Sequence, residues 1–227
     1  MKLKMIIDLI YPRRAVCMGC GSMLGCDRDD LCEGCRQKLS ERWIGPHRLP
    51  KGAGPDEAAF AYPYRSPAGS MVRKLKYSGV AVLAERMGRD IAQAVEMLHP
   101  EGICAVTAVP MHPRRLKQRG RNHAELLARS AADALGLPYF DLLYRTRNAP
   151  QLARLTLTQR LQNLNGAFAV REEYTDLVNG QNVLLIDDVY TTGATAHYCS
   201  AALRAAGARR IYFAAYALGE GKKGAEK

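Results

Sequence analysis

The run Val183-Leu184-Leu185-Ile186 contains no polar position. A strand that can be wetted on neither face belongs in the middle of a sheet, with helices covering both sides, which is the environment of a central parallel strand. Polarity then changes at a single residue. Asp187-Asp188 follow, then Val189-Tyr190 and the small, hydroxyl-rich stretch Thr191-Thr192-Gly193-Ala194-Thr195, after which a helix is predicted over Ala196 to Ala206 with Gly207 as its stop. In open α/β sheets, ligands bind outside the carboxyl ends of the strands. Hydroxyls and backbone N–H groups at a helix N-terminus favour an anion. Paired carboxylates accept hydrogen bonds from a diol and suit a hard cation. Together these groups suit a sugar phosphate.

The remaining elements support the same architecture. Strands are predicted at Ala58 to Tyr64, Ala105 to Pro110, Leu142 to Tyr144, Ala167 to Val170 and Ile211 to Leu218. Between them, a helix is expected from Ser66 to Tyr77. Val80, Leu83, Ala84, Met87, Ile91, Ala94, Val95 and Leu98 then recur at helical spacing. Asn122, with Glu125 three residues on, reads as a capping-box start, and Gly136 before Pro138 reads as a stop. Strands alternating with helices define a doubly wound parallel sheet flanked by helices. Met111 to Arg121 reads as a long basic connection, and Arg145 to Gly166 as a polar, mobile segment able to close over a site and exclude water.

Five of the seven cysteines lie between Cys17 and Cys35, as Cys17-x-x-Cys20, eleven residues, then Cys32-x-x-Cys35. Two such knuckles are the spacing of a tetrathiolate zinc site, with Gly19 and Gly34 read as positive-φ turns. Disulfides and a redox pair are the alternatives, disfavoured for a chain read as cytosolic. Cys26 is left as a bystander, and Cys104 and Cys199 as buried free thiols. The proline- and glycine-rich stretch from Ser40 to Pro55 reads as a linker. The expected organisation is an N-terminal helix and zinc module over 1–45, an α/β domain over 56–219 and a disordered tail over 220–227.

Lys4 and Asp8 interrupt the apolar opening, which is read as a short amphipathic helix rather than a signal peptide, and no stretch is long enough to span a bilayer. A cytoplasmic protein is expected. The formal net charge of +11 favours polyanionic partners, and Arg114, Arg115, Lys117, Arg119 and Arg121 concentrate part of it before the Asn122 helix.

Val183 to Thr195 resembles the phosphoribosyl-pyrophosphate signature of type I phosphoribosyltransferases. Along the chain, the Cys17/Cys20/Cys32/Cys35 knuckles, Lys74-Leu-Lys76-Tyr77 with Gly79, Val109-Pro110 leading to Arg119-Gly120-Arg121-Asn122, and Arg160-x-x-Asn163 before Gly166-Ala167-Phe168 resemble the ComF family of competence-associated, phosphoribosyltransferase-like proteins. The family usually places an aromatic at Arg121 and a glutamine at His123, and His123 is read here as a surface or capping residue.

The resemblance implies that Asp187 and Asp188 hold the ribose hydroxyls, directly or through Mg2+. It implies that Thr191, Thr192, Gly193, Ala194 and Thr195 cradle the 5-phosphate, and that Lys76 and Arg119 neutralise pyrophosphate, with Gln151 and Arg160 as contacts from the mobile segment. Asp187, Asp188 and Arg119 are the candidate catalytic residues, and Cys17, Cys20, Cys32 and Cys35 the ligands of a structural zinc. The implied partners are phosphoribosyl pyrophosphate, single-stranded DNA and other DNA-uptake proteins, in natural transformation or nucleotide metabolism. A phosphoribosyltransferase, a non-catalytic sensor of phosphoribosyl pyrophosphate and a pure DNA-binding competence factor remain open alternatives, and the acceptor is unspecified.

Overall fold

A computed structural model describes residues 16–24, 30–49, 54–78, 81–146 and 166–219. The expected N-terminal helix, Cys26, Gln151, Arg160, most of the Arg145 to Gly166 segment and the 220–227 tail lie outside these residues.

The main sheet has the order β1 (Gly45–His47), β2 (Glu57–Pro63), β7 (Arg210–Leu218), β6 (Asn182–Tyr190), β3 (Ile103–Ala108). The pairings β2 with β7, β7 with β6 and β6 with β3 are parallel, and β1 is antiparallel to β2. Pro138 to Phe140 extends the β3 edge, the Val106 N–H donating to the Pro138 carbonyl and the Phe140 N–H to the Val106 carbonyl, each at 2.9 Å. Val183, Leu184, Leu185 and Ile186 are fully buried, as an all-apolar central strand requires. Their odd and even members serve different layers: Leu184 and Ile186 pack with one apolar cluster, Val183 and Leu185 with the other.

On the first side lie α2 (Ala68–Ser78), α3 (Ala81–Glu96) and α5 (His123–Leu135), which bury Met71, Val72, Leu75, Met87, Ile91 and Leu127. On the other side lies α7 (Ala194–Ala205) with Cys199 and Leu203, beside a two-stranded antiparallel ribbon of β4 (Leu143–Arg145) and β5 (Phe168–Val170). A 3-10 turn at Glu172–Tyr174 and the short α6 (Thr175–Val178) lead back into β6.

Three expectations are corrected. The Ser40 to Pro55 stretch is not simply a linker: its Gly45–His47 portion forms β1, and the Ile44 N–H donates to Ala61 O at 3.0 Å. The basic connection after β3 contains a helix, α4 (Pro113–Arg119). His112 Nδ1 accepts from the Arg114 N–H at 3.1 Å, Pro113 occupies the first turn, and Gly120 closes the helix at φ 74°. Finally, β6 does not stop at Ile186 but runs on through the acidic pair to Tyr190, with Asp187 opposite Ala215 and Val189 opposite Ala217.

The cysteine module is built onto the first helical layer. Cys17, Met18, Leu31, Cys35 and Leu39 are buried in the same cluster as Met71, Val72 and Leu75. Cys32 N-caps α1 (Glu33–Ser40), and Lys74 of α2 donates from Nζ to the Cys17 carbonyl at 3.0 Å. Among the described residues, no helix is long and apolar enough to cross a membrane.

Candidate functional site: an acidic pair facing a cationic cleft

The end of β6 creates the site because its neighbour stops first. β3 ends at Ala108, Val109 makes one last bond to Ile186 O at 2.9 Å, and the chain then departs into Pro110, Met111 and α4. Asp187 and Asp188 therefore open into a cleft of about 180 Å³ rather than into another strand. Asn122 holds the departing chain in place. Its Nδ2 donates to Val109 O at 3.0 Å while its Oδ1 accepts from the Ala124 N–H at 3.2 Å, capping α5. The expected partner in that cap, Glu125, instead pairs with Arg129 along the helix at 3.0 Å.

Lys76, Arg115, Arg119 and Arg145 line the cleft together with both carboxylates and Thr195. Lys76 Nζ lies 2.9 Å from Asp188 Oδ2 and 3.0 Å from Oδ1. Asp187 Oδ1 accepts from the Asp188 N–H at 2.8 Å. Burial, reinforced by the neighbouring Asp188 carboxylate, pushes Asp187 up to about 8, against the pull of that N–H and of Lys76. The site thus holds one carboxylate already paired with a cation and a second whose burial favours its protonated form.

Beyond the pair, Thr191, Thr192, Gly193, Ala194 and Thr195 curl around a small adjoining concavity of about 30 Å³, which shares Asp187 and Thr195 with the cleft. Gly193 is the N-cap of α7 at φ 75°, and no side chain caps that helix. Its first N–H groups lack helical partners, as at any helix start. A Cβ at Gly193 would run into the Tyr190 hydroxyl, so the turn requires glycine on both conformational and steric grounds.

Of the cations expected here, Lys76 and Arg119 both reach the cleft. Arg119 also lies over the exposed Tyr77 ring, 5.7 Å from its centroid. Arg114, Lys117 and Arg121 are not among the lining residues. Sequence reasoning missed Arg145 and Phe168, contributed by the β4–β5 ribbon, and Asn122 as a wall residue. The available signal was position: Arg145 directly follows the strand predicted at Leu142 to Tyr144, and Phe168 falls within the one predicted at Ala167 to Val170. His123 is a correction. Only 2% exposed, it is neither a surface nor a capping residue, and burial followed by the charge of Arg119 holds its imidazole below the usual value and hence neutral near pH 7.

The four cysteines of the knuckles converge. All four Sγ atoms lie within 4.8 Å of one another, and Cys20 Sγ is 3.7 Å from Cys32 Sγ. A tetrahedral ion with Zn–S bonds of about 2.3 Å sets its sulfurs roughly 3.8 Å apart, so the donor set and spacing fit such an ion. Hydrogen bonding by Ser22 lowers Cys20 to about 6, whereas burial among the other three thiols pushes Cys35 up. The glycines act differently from the expectation. Gly21, not Gly19 or Gly34, has positive φ, at 82°. Gly19 is needed for close approach, since a Cβ there would lie 2.7 Å from Cys35 Sγ and 2.8 Å from Pro67 Cβ. Of the lone thiols, Cys199 is buried and Cys104 only partly so.

The parallel sheet, the acidic pair at its carboxyl edge and the hydroxyl loop define an α/β protein with a cleft at the carboxyl edge of its sheet, carrying a four-cysteine cluster that could hold a metal ion. No protein-family model matches the chain. It is similar to competence protein ComFC of Bacillus subtilis, 26% identical over 203 residues that cover 86% of this chain and 80% of that protein. It is also similar to competence protein F of Haemophilus influenzae, 24% identical over 86% of this chain and 93% of that one. DNA utilization protein YhgH of Escherichia coli K12 is 27% identical over 58% of this chain and 59% of its own length. Among solved structures, glutamine phosphoribosylpyrophosphate amidotransferase from B. subtilis, complexed with ADP and GMP, superposes with a TM-score of 0.38 at 21% identity. That superposition covers 57% of this chain and 25% of the amidotransferase.

Proposed function

We propose that this protein binds phosphoribosyl pyrophosphate in the cleft at the end of β6 and transfers its phosphoribosyl group to an acceptor, in a pathway of DNA uptake or use. One observation carries the reading: a paired acidic dipeptide lies between a hydroxyl-lined concavity at an uncapped helix start and a cleft containing Lys76, Arg115 and Arg119. The 5-phosphate occupies the Thr191 to Thr195 concavity, where backbone N–H groups and hydroxyls donate to it. The ribose hydroxyls face Asp187 and Asp188, and the pyrophosphate faces Arg119 and Lys76.

These two carboxylates are hard oxygen donors side by side and fit Mg2+, which they would hold against the ligand, supplying neutralisation of the leaving oxygens. In the transfer, the bond from ribose C1 to the pyrophosphate oxygen breaks and pyrophosphate leaves with the electron pair. The acceptor nucleophile forms the new bond to C1 and gives up its proton. Positive charge develops on the ribose ring as the leaving group departs, so the contribution of the chain is orientation and charge stabilisation rather than covalent chemistry. The competence names of the relatives and the net charge of +11 favour single-stranded DNA as a partner.

Calorimetry with Mg2+ and phosphoribosyl pyrophosphate tests the site: Asp187→Asn with Asp188→Asn abolishes binding, and unchanged affinity would sink the assignment. A screen for pyrophosphate release across nucleobases and single-stranded DNA tests transfer. Binding without release in every case makes the protein a sensor instead.

A further inference from the structure

Among the described residues lining the cleft, Arg145 is the cation with a buried nitrogen that lacks a hydrogen-bond partner. It stands at the end of β4 and lines the cleft with Asp187 and Thr195. Its guanidinium lies over the Phe168 ring, with Cζ 5.0 Å from the centroid, and Phe168 is itself buried and part of the same wall. Its Nε is buried with no hydrogen-bond partner. Among the described residues it makes no ion pair, whereas the comparable cleft cation Lys76 is paired with Asp188 at 2.9 Å. Burial works first against its protonated form, the neighbouring Cys199 favours that form, and the like charge of Arg115 opposes it.

An arginine does not escape such a position by losing its proton, because its guanidinium stays charged in proteins. Among the described residues nothing supplies the countercharge, and an anion brought from outside would. Asp187 lines the same wall, but among the described residues no ion pair joins it to Arg145. Stacking on Phe168 fixes the plane of the fork, and a fixed fork favours an oxyanion that can accept two parallel N–H bonds.

We propose that Arg145 is a ligand-binding residue that takes an oxyanion of the bound molecule, a phosphoryl or carboxylate group, at the end of the cleft where Asp187 and Thr195 meet the phosphate concavity. The proposal rests on the phosphoribosyl reading for the identity of the ligand but not for the demand of the site for an anion. In a phosphoribosyl pyrophosphate complex the oxyanion belongs to the 5-phosphate or to the pyrophosphate.

The experiment is calorimetry of the full chain with three probes in Mg2+: phosphoribosyl pyrophosphate, ribose 5-phosphate and inorganic pyrophosphate. Arg145→Gln is expected to lose tenfold or more in affinity for phosphoribosyl pyrophosphate. It should lose a similar factor for whichever simpler probe carries the contacted oxyanion, so that the two arms locate it. Arg145→Lys, which keeps the charge and the stem against Phe168, should fall between the wild type and Arg145→Gln, since an ammonium cannot make the two-pronged bond. Affinities within twofold of wild type for all three probes in both variants overturn this inference alone. A wild-type chain that binds none of the three overturns it together with the phosphoribosyl reading.

Discussion

Asp90 offers a quantitative check on the architecture that is independent of any ligand. It lies on α3, 8% exposed, with Oδ1 3.6 Å from Arg86 Nε and Oδ2 without a partner. Burial pushes its carboxyl up to about 6, against the opposing pull of Arg86, the Tyr62 hydroxyl and Arg89. An unfolded chain carries the same carboxyl near its ordinary value of 3.8. Between those two values the folded state binds more protons than the unfolded one, so this group lowers stability as pH rises from about 4 to 6, and the loss is constant above. At roughly 1.4 kcal/mol per pH unit, the full penalty approaches about 3 kcal/mol, of which about 2 kcal/mol develops between about pH 4.5 and 7.5.

Asp90→Asn removes that penalty. The amide introduces costs of its own, among them an unpartnered buried N–H and a lost attraction to Arg86, but these scarcely change with pH. The measurable quantity is therefore the change with pH in the stability difference, variant minus wild type. Urea unfolding of both proteins should show this difference moving in favour of Asn by about 2 kcal/mol from about pH 4.5 to 7.5, equivalent to roughly 4–8 °C in Tm for a chain of this size. A difference that stays flat across that range would falsify the placement of Asp90 against Tyr62 and the inner layer of α3.

Two further outcomes follow from the site and the cysteine module. Gly193→Ala should weaken phosphoribosyl pyrophosphate binding by more than tenfold in calorimetry, because the methyl group collides with the Tyr190 hydroxyl at a residue held at φ 75°; affinity within twofold of wild type would mean the loop does not contact the phosphate. Metal analysis of protein purified under reducing conditions should find about one zinc per chain, and Cys35→Ser should lose most of it while exposing the apolar cluster around Leu31 and Leu39 to a hydrophobic dye; a chain without metal removes the tetrathiolate assignment.

What the sequence disclosed was mostly local. Val183 to Ile186 declares its own burial, and Asn122 and Gly136 delimit α5 because caps are chosen by the chemistry of one or two residues. The hydroxyl loop is legible for the same reason. Helix α4 was hidden because its cap is His112, a residue seldom read as a helix start, and because five cations in close succession read as a solvated run. Strand β1 was hidden because a glycine and a proline occupy an edge, where a strand can tolerate them. The pairing of Lys76 with Asp188 spans 112 positions and has no local mark at all. Gly19 illustrates a subtler failure, in which the right residue was singled out for the wrong reason: its lack of a side chain makes room for a sulfur rather than permitting a turn.

Charge balance in the cleft links these observations to function. Asp188 is satisfied by Lys76, and Asp187 accepts from the Asp188 N–H while burial biases it toward its protonated form. Arg115, Arg119 and Arg145 then face the cleft with no carboxylate partner among the described residues. A cleft with surplus cations is poorly compensated on its own and would become better compensated if a polyanion entered with a divalent ion. In the proposed complex the polyanion would meet the arginines and the ion would be held by Asp187 and Asp188. Arrival of either component makes the site more favourable for the other, so affinity for the polyanion should rise with Mg2+ and affinity for Mg2+ should rise with the polyanion, by the same factor, as reciprocal linkage requires.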